Sequence, residues 1–370
     1  MWKNSGRCAN VKGQEEKVNG ILMPMDPVTG YSLNDLRKTV EDLGGKKYSA
    51  GQVWNWIYRK SVYDFEEMTD ISAGLREGLK KEHDFENIII EETRTSTDGS
   101  VKLLLKLSDG NLVECVIIPE KERITLCVSS QVGCRFKCSF CATGQLGFTR
   151  DLTASEIVSQ ILISSEYIGK RITNVVYMGM GEPFDNYDAV IKSADIISDD
   201  SGLAIGKRKI TISTFGHING IRRYIDEDAR YKLAISLHNP FDDERSTVMP
   251  ANRKYPLKEL IVLLEEYTKR SNRKVIFEYV LIKGFNDTER HAEELIKLLS
   301  RFPSKLNLIK YHNDPNNKKF DHISKESEDK FINLFKRVNF PVMFRKSRGE
   351  DIDAACGQLA AAQTNGRSKN

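Results

Sequence analysis

From about residue 120 onward the chain repeats one rhythm six times: a short apolar run, then a stretch with helical spacing. The runs are "ITLCVSS", "TNVVYMGM", "KITISTF", "YKLAISLH", "KVIFEYVLI" and "KLNLIKYH", and Ala154 to Ile168 and Leu257 to Arg270 read as two of the helices between them. Strands that are apolar at nearly every residue and alternate with helices belong to a parallel sheet with covered faces. Six such units, with no G-x-G-x-x-G opening the first helix, predict an α/β fold: a partial, TIM-like (β/α)6 barrel rather than a dinucleotide-binding sheet. Chemistry in such barrels gathers where the strands end on their C-terminal side. The unusual residues of this chain fall there. A cysteine cluster follows the first strand and Gly181-Glu182-Pro183 the second; Ser213 sits at the third, Ser236-Leu237-His238 at the fourth, and Asn313 after the sixth.

Ahead of the barrel, Leu33, Leu36, Val40 and Leu43 recur at helical spacing behind a Ser32 N-cap, and Gly44-Gly45 stops the helix. A second helix is expected near Ser49, with Val53, Trp54 and Ile57, and a third after Ser72, with Leu75 and Leu79. Trp54, Trp56 and Tyr58, beside Arg59 and Lys60, could stack on bases, but at this spacing in an acidic segment they suit a core better. "VKLLLKLSDGNLVECVIIP" reads as two strands joined at Asp109-Gly110. Glu114 interrupts the second one. Its carboxylate lies either at an edge, the simpler reading, or in a poorly solvated place that raises its pKa and makes it a candidate general base. The expected organisation is a flexible leader 1–28 with Met25 as an alternative start, a helical accessory domain 29–90, a β-hairpin extension 91–120, the barrel 121–361 and a flexible tail 362–370.

The 370 residues, 40% hydrophobic, can bury a large core, and no apolar run approaches a membrane span. The N-terminus lacks the apolar centre of a signal peptide, so a cytoplasmic location is expected, and a monomer with it. Net charge is +4, but 16 Lys and Arg stand against 20 Asp and Glu up to residue 120, leaving 40 against 32 beyond it. Lys207-Arg208-Lys209, Arg222-Arg223, Lys269-Arg270, Arg273-Lys274 and Arg345-Lys346-x-Arg348 are either a phosphate-binding surface or ordinary solvated faces.

Of seven cysteines, three are crowded at Cys134, Cys138 and Cys141 and four are dispersed. That is no disulfide framework, and it favours metal or redox chemistry in a reducing compartment. Zinc sites mostly come as two C-x2-C pairs, and there is no second pair here. Three soft thiolates suit an iron–sulfur cluster with one iron left open. The C-x3-C-x2-C spacing resembles the signature of radical S-adenosylmethionine (SAM) enzymes. That resemblance implies a [4Fe-4S] cluster whose open iron is chelated by the amino and carboxylate groups of SAM, and whose electron cleaves the sulfonium to a 5′-deoxyadenosyl radical. It further implies that Gly181 and Glu182 hold the methionine amino group and that Ser213, Ser236, Leu237, His238 and Asn313 make the other contacts, with His312 competing for the last.

"CVSSQVGCxxxCxFC", "MGMGEP", "AISLH" and "RGEDIDAACGQLA" together resemble the RlmN family of bacterial adenine carbon-2 methyl synthases, a resemblance that runs from about residue 31 to 361. By that resemblance two SAM molecules serve each turnover: one methylates Cys356, and the second yields the radical that abstracts hydrogen from the S-methyl group. The methylene radical adds to adenine, Glu114 accepts the ring proton, and Cys127 releases the product through a transient disulfide with Cys356. Without the resemblance Cys127 would be only a small buried hydrophobe. Gly357 fits a loop that swings between the two steps. The implied partners are 23S rRNA at adenosine 2503, a subset of tRNAs at adenosine 37, and a flavodoxin- or ferredoxin-type electron donor. Shape, phosphate contacts and an extruded base would select the target. Cfr enzymes, which methylate carbon 8 of the same rRNA adenosine, share the cysteines, "FCATG" and "DIDAACGQL", whereas "GEP" and "RKSRGEDIDAACGQLA" lie closer to RlmN. An iron–sulfur electron carrier or RNA-binding protein without methyl transfer would need the cluster but not Cys356.

Overall fold

The computed structural model describes residues 17–18, 21–22, 26–312, 319–345 and 347–360; Met25, Asn313, Lys346 and the expected tail 362–370 lie outside them. Three helices come first: α1 (Leu33–Asp42), α2 (Lys47–Tyr58) and α3 (Ala73–Glu82). Ser32 opens α1 in a reciprocal capping box with Asp35, and Ser72 caps α3 through the backbone N–H of Leu75. Trp54 and Tyr58 are buried among Val40, Val53, Ile57 and Leu79, which is the core reading of these aromatics. Trp56 is half-buried, with Lys60 Nζ 3.2 Å from its ring centre. This helical region is tied to the barrel. Thr29 Oγ1 lies 2.5 Å from Ser155 Oγ, and Arg59 donates to the carbonyl of Asp200 at 2.5 Å. Asp26–Pro27 pairs with His83–Asp84, so paired backbone begins inside the stretch expected as leader.

One ten-stranded sheet follows: β1 (Ile89–Thr95), β2 (Val101–Lys106), β3 (Leu112–Glu120), β4 (Arg123–Val128), β5 (Asn174–Tyr177), β6 (Ile210–Thr214), β7 (Lys232–Ser236), β8 (Val275–Leu281), β9 (Ser304–Lys310) and β10 (Val342–Arg345). Each strand pairs with its sequence neighbour. β1 to β4 form an antiparallel meander, and β4 to β10 run parallel. The crossovers carry α4 (Ala154–Ile168), α5 (Tyr187–Ser198), α6 (Ile218–Asp226), α7 (Asp242–Val248), α8 (Leu257–Ser271), α9 (Glu289–Leu299) and α10 (Lys325–Asn333). β4 to β9 are the six strands read from the sequence. β1 and β10 were not anticipated: "IIEETRT" is largely exposed and charged, and "VMFR" is four residues long. Among the described residues no helix is long and apolar enough to cross a membrane.

The two-residue period of the strands sorts the sheet into two chemically different faces. Leu126, Val175, Ile212, Leu233, Ile235, Phe277, Tyr279, Leu306 and Leu308 are fully buried on the side that packs against the helices. Cys127 stands in register with Val116 and Val176, and Ser236 with Glu278, which in turn stands beside Asn307. Ile309 pairs with Arg345. Following these rows two residues at a time puts Lys102, Glu114, Cys127, Ser213, Ser236, Glu278, Asn307 and Arg345 on the opposite, concave face. The helix-facing side is therefore apolar throughout, whereas the other side mixes these polar groups with Val116, Val176, Ala234 and Ile309.

Candidate active site

The cluster loop leaves β4 through a short hairpin, Gln131–Gly133 paired with Phe148–Asp151. Gly133 sets its first ligand. Its φ of +76° disfavours any side chain, and a Cβ there would lie 1.9 Å from the carbonyl oxygen of Gly147, the same oxygen that accepts from Cys134 N at 2.7 Å. Gly133→Ala should therefore cost about 1–3 kcal/mol from the backbone alone and displace Cys134; iron content and a thermal melt check this, and full iron loading at unchanged stability would contradict it. Phe136 packs on Phe215 with ring centres 4.5 Å apart, and Phe140 meets His238 edge-on at 4.9 Å. Ser139 N donates to Val248 O, tying the loop to α7.

Cys134, Cys138 and Cys141 are half-buried free thiols within electrostatic reach of one another. Burial pushes all three up, Cys134 to about 12, and repulsion from neighbouring thiolates adds to it at Cys134 and Cys138. Among the described residues no three His, Cys, Asp or Glu side chains are grouped to hold one metal ion. A cubane takes each thiolate on a different iron, so this donor set fits a cluster.

After β5 the chain turns through Gly181, whose φ of +102° and closeness to the Gln131 side chain leave no room for a Cβ. Glu182 is buried and accepts from the backbone N–H groups of Phe184 and Phe215, each at 3.0 Å. Burial lifts its carboxyl to about 7 against the pull of those bonds. Ser213 and Ser236 place their hydroxyls 3.4 Å apart on adjacent strands. Leu237 is wholly buried, and His238 has a left-handed φ of +57°. Its Nδ1 accepts from Val280 N at 3.1 Å, and burial, then the nearby Arg245, drives it down to about 3, so the ring is neutral. Two acceptors on the concave face, Glu278 Oε2 and Asn307 Oδ1, are buried without a hydrogen-bond partner among the described residues. Orphaned acceptors there fit a ligand rich in N–H and O–H donors, as SAM is. His312 is bonded to Ser347 Oγ at 2.5 Å and lies 3.3 Å from Glu350, so it belongs to the C-terminal segment.

That segment returns over the barrel mouth. Ala142 N donates to Gly357 O at 2.7 Å, and Thr143 Oγ1 to Leu359 O at 2.6 Å, so the loop bearing Cys356 rests on the cluster loop. Ala360 N donates to Glu114 Oε2 at 2.8 Å. Cys356 is an exposed residue and Cys127 a buried one, each a free thiol in electrostatic reach of Arg345. Surrounding protein pushes the Cys356 thiol up, while Arg345 pulls it down.

Glu114 is not at an edge, because β3 pairs on both sides. It is buried 3.2 Å from Lys102 Nζ, and burial raises its carboxyl against the opposing pull of Lys102 and Ala360 N. Lys102, Glu278, Asn307 and Arg245 were missed in the sequence, and Arg345 was read only as part of a basic cluster. For Glu278 and Asn307 the signal was present, a polar residue inside an apolar strand, as it was for Glu114. Charge runs were a poorer guide: Lys207, Arg222, Arg223 and Arg270 are engaged with Asp195, Glu266, Asp188, Glu227 and Asp226. Arg345 turns inward, 3.7 Å from Glu278.

Residues 128–299 match the model of the Radical SAM superfamily. A crystal structure of a radical SAM methyltransferase from Sphaerobacter thermophilus superposes with a TM-score of 0.86 at 39% identity, covering 91% of this chain and 100% of that one. Fold and site thus define a radical SAM enzyme. Residues 28–84 match the ribosomal RNA large subunit methyltransferase N-terminal domain. Proteins described as probable dual-specificity RNA methyltransferases RlmN are similar along nearly the whole length: that of Bacteroides fragilis is 41% identical over 94% of this chain and 100% of its own, and that of Clostridium perfringens 40% identical over 90% and 96%. A dual-specificity RNA methyltransferase RlmN from Desulfotalea psychrophila is 40% identical over 91% of this chain. The chain belongs to the RlmN family of radical SAM RNA methyltransferases.

Proposed function

We propose that the chain methylates carbon 2 of adenosine 2503 in 23S rRNA and of adenosine 37 in a subset of tRNAs, using Cys356 as the methyl carrier. The observation that supports this most is the path of the C-terminal segment: within five residues it touches the cluster loop at Gly357 and Leu359 and Glu114 at Ala360, with Cys356 at its head. The relatives' description as dual-specificity enzymes supports two RNA substrates. Carbon 2 of adenine is an electron-poor ring carbon that does not attack a methyl sulfonium, so a one-carbon radical must be delivered to it.

Cys134, Cys138 and Cys141 would hold a [4Fe-4S] cluster, which together with SAM would supply the one-electron chemistry. The chain's own groups do the rest. Gly181 and Glu182, Ser213, Ser236, Leu237, His238 and Asn313 would hold SAM. The Cys356 sulfur would lose its proton and take a methyl group by displacement from SAM, with S-adenosylhomocysteine leaving; once one hydrogen atom has been abstracted from that methyl group, its methylene carbon would bond to the ring. Glu114 would remove the ring proton, and the unpaired electron left on the adduct would go back to the cluster. Cys127 then attacks the Cys356 sulfur; the S–S bond forms, the S–CH2 bond breaks, and the released electron pair is protonated to give the new methyl group. Residues 29–90 act as an accessory module and 91–120 as an extension of the barrel sheet in a cytoplasmic monomer fed by a flavodoxin- or ferredoxin-type donor.

Cys127→Ala tests the release step. The variant should accumulate a covalent protein–RNA adduct on a denaturing gel, in nearly one-to-one yield with loaded enzyme, and free methylated RNA should be lost. Normal turnover without an adduct would remove Cys127 from the reaction.

A further inference from the structure

Arg245 on α7 is fully buried and has no carboxylate within ion-pair distance among the described residues. Its guanidinium spends its donors on neutral groups: Nε on the carbonyl of Leu237 at 2.9 Å, Nη2 on the carbonyls of Ser236 at 3.0 Å and Phe215, and Nη1 on the side-chain oxygen of Asn252. These bonds satisfy the hydrogens but put no negative charge against the guanidinium. A buried cation of this kind is costly unless an anion stands near it.

The packing points to where that anion belongs. Phe215, whose carbonyl Arg245 holds, packs at a tilt against Phe136 of the cluster loop. Val248, one turn further along α7, accepts from Ser139 N, and Cys138 packs against the patch made by Phe215, Val248 and Met249. The only charged side chain on α7 that offsets Arg245 appreciably is Asp242, whose own oxygen is committed to Leu257 N and Asn252. Cys138 is the other negative group in reach once it is a thiolate.

We infer that Arg245 is the internal counter-ion of the iron–sulfur cluster and sets how readily it is reduced. The inference rests on the cluster reading given above. An oxidised cubane on three thiolates is already anionic, and one electron from a low-potential donor adds a further negative charge with no bond made or broken. A fixed cation beside Cys138 favours that added charge. Arg245 is therefore a tuning residue, held in place by carbonyls rather than by substrate.

The test uses the full chain, reconstituted anaerobically with iron and sulfide, with iron content and an EPR-monitored redox titration as readouts. Arg245→Gln keeps part of the donor set and loses the charge. Its reduced-to-oxidised ratio at a fixed reductant potential should fall about tenfold, equivalent to about 59 mV for one electron. Arg245→Lys should restore the wild-type value. Asp242→Asn removes the negative charge that offsets Arg245 and should shift the ratio the opposite way. A loaded Arg245→Gln chain with an unchanged ratio would overturn the inference; if that variant does not load, an unchanged ratio in Asp242→Asn would do the same. Wild-type protein that takes up no iron would sink the cluster reading itself.

Discussion

Replacing Cys356 by Ala should abolish methylated adenosine, a loss of roughly 1,000-fold or more, as expected when a covalent nucleophile is removed. The cluster should survive the change, because Cys356 is not among the three crowded thiols and its loop contacts to Ala142 and Thr143 run through backbone carbonyls. Iron content should therefore match wild type, while radiolabel from methyl-labelled SAM should no longer appear on the protein. This pairing of full iron with no product distinguishes a lost methyl carrier from a damaged fold. Undiminished methylation by Cys356→Ala would show that the methyl group reaches the RNA without passing through this sulfur.

Cys138→Ala should produce the complementary phenotype. One thiolate of three is lost, and the iron and its visible absorption should fall to background with all radical chemistry. The polypeptide should fold almost as before. Cys138 is half-buried against Phe215, Val248 and Met249, and trimming one sulfur there costs about 1 kcal/mol, a shift of a few degrees in Tm. A variant with wild-type iron content would remove Cys138 from the ligand set; a variant that fails to fold would give it a packing role larger than its half-buried contacts imply.

The six parallel strands were legible because each buried strand must be apolar on the helix-facing side, and that requirement is written at every second residue. Ala154–Ile168 was readable to the residue, since Thr153 and Glu156 form the capping box and Gly169 ends the helix in a left-handed turn. β10 was not legible. Four residues carry no periodicity, and Arg345 is turned inward by a partner, Glu278, that lies 67 positions earlier in the chain. The site divides in the same way. Cys134, Cys138 and Cys141 announce themselves by local spacing, whereas Glu114 was undecided until its strand gained neighbours on both sides and Lys102 came beside it. Arg245 was invisible for a related reason: in "DDERSTV" it reads as one of several surface charges, and only the fold shows that it is buried among carbonyls. The contacts of the Cys356 loop with the cluster loop and, through Ala360, with Glu114 are likewise a product of the long return of the C-terminus and of nothing in the nearby sequence.

The central claim is the reaction and its position on the ring. Reconstituted protein, SAM and a low-potential reductant should be incubated anaerobically with unmodified 23S rRNA, and the digested nucleosides compared by mass spectrometry with authentic standards. The account predicts 2-methyladenosine. 8-Methyladenosine in its place, or no methyladenosine from protein with an intact cluster and cleaved SAM, would contradict it.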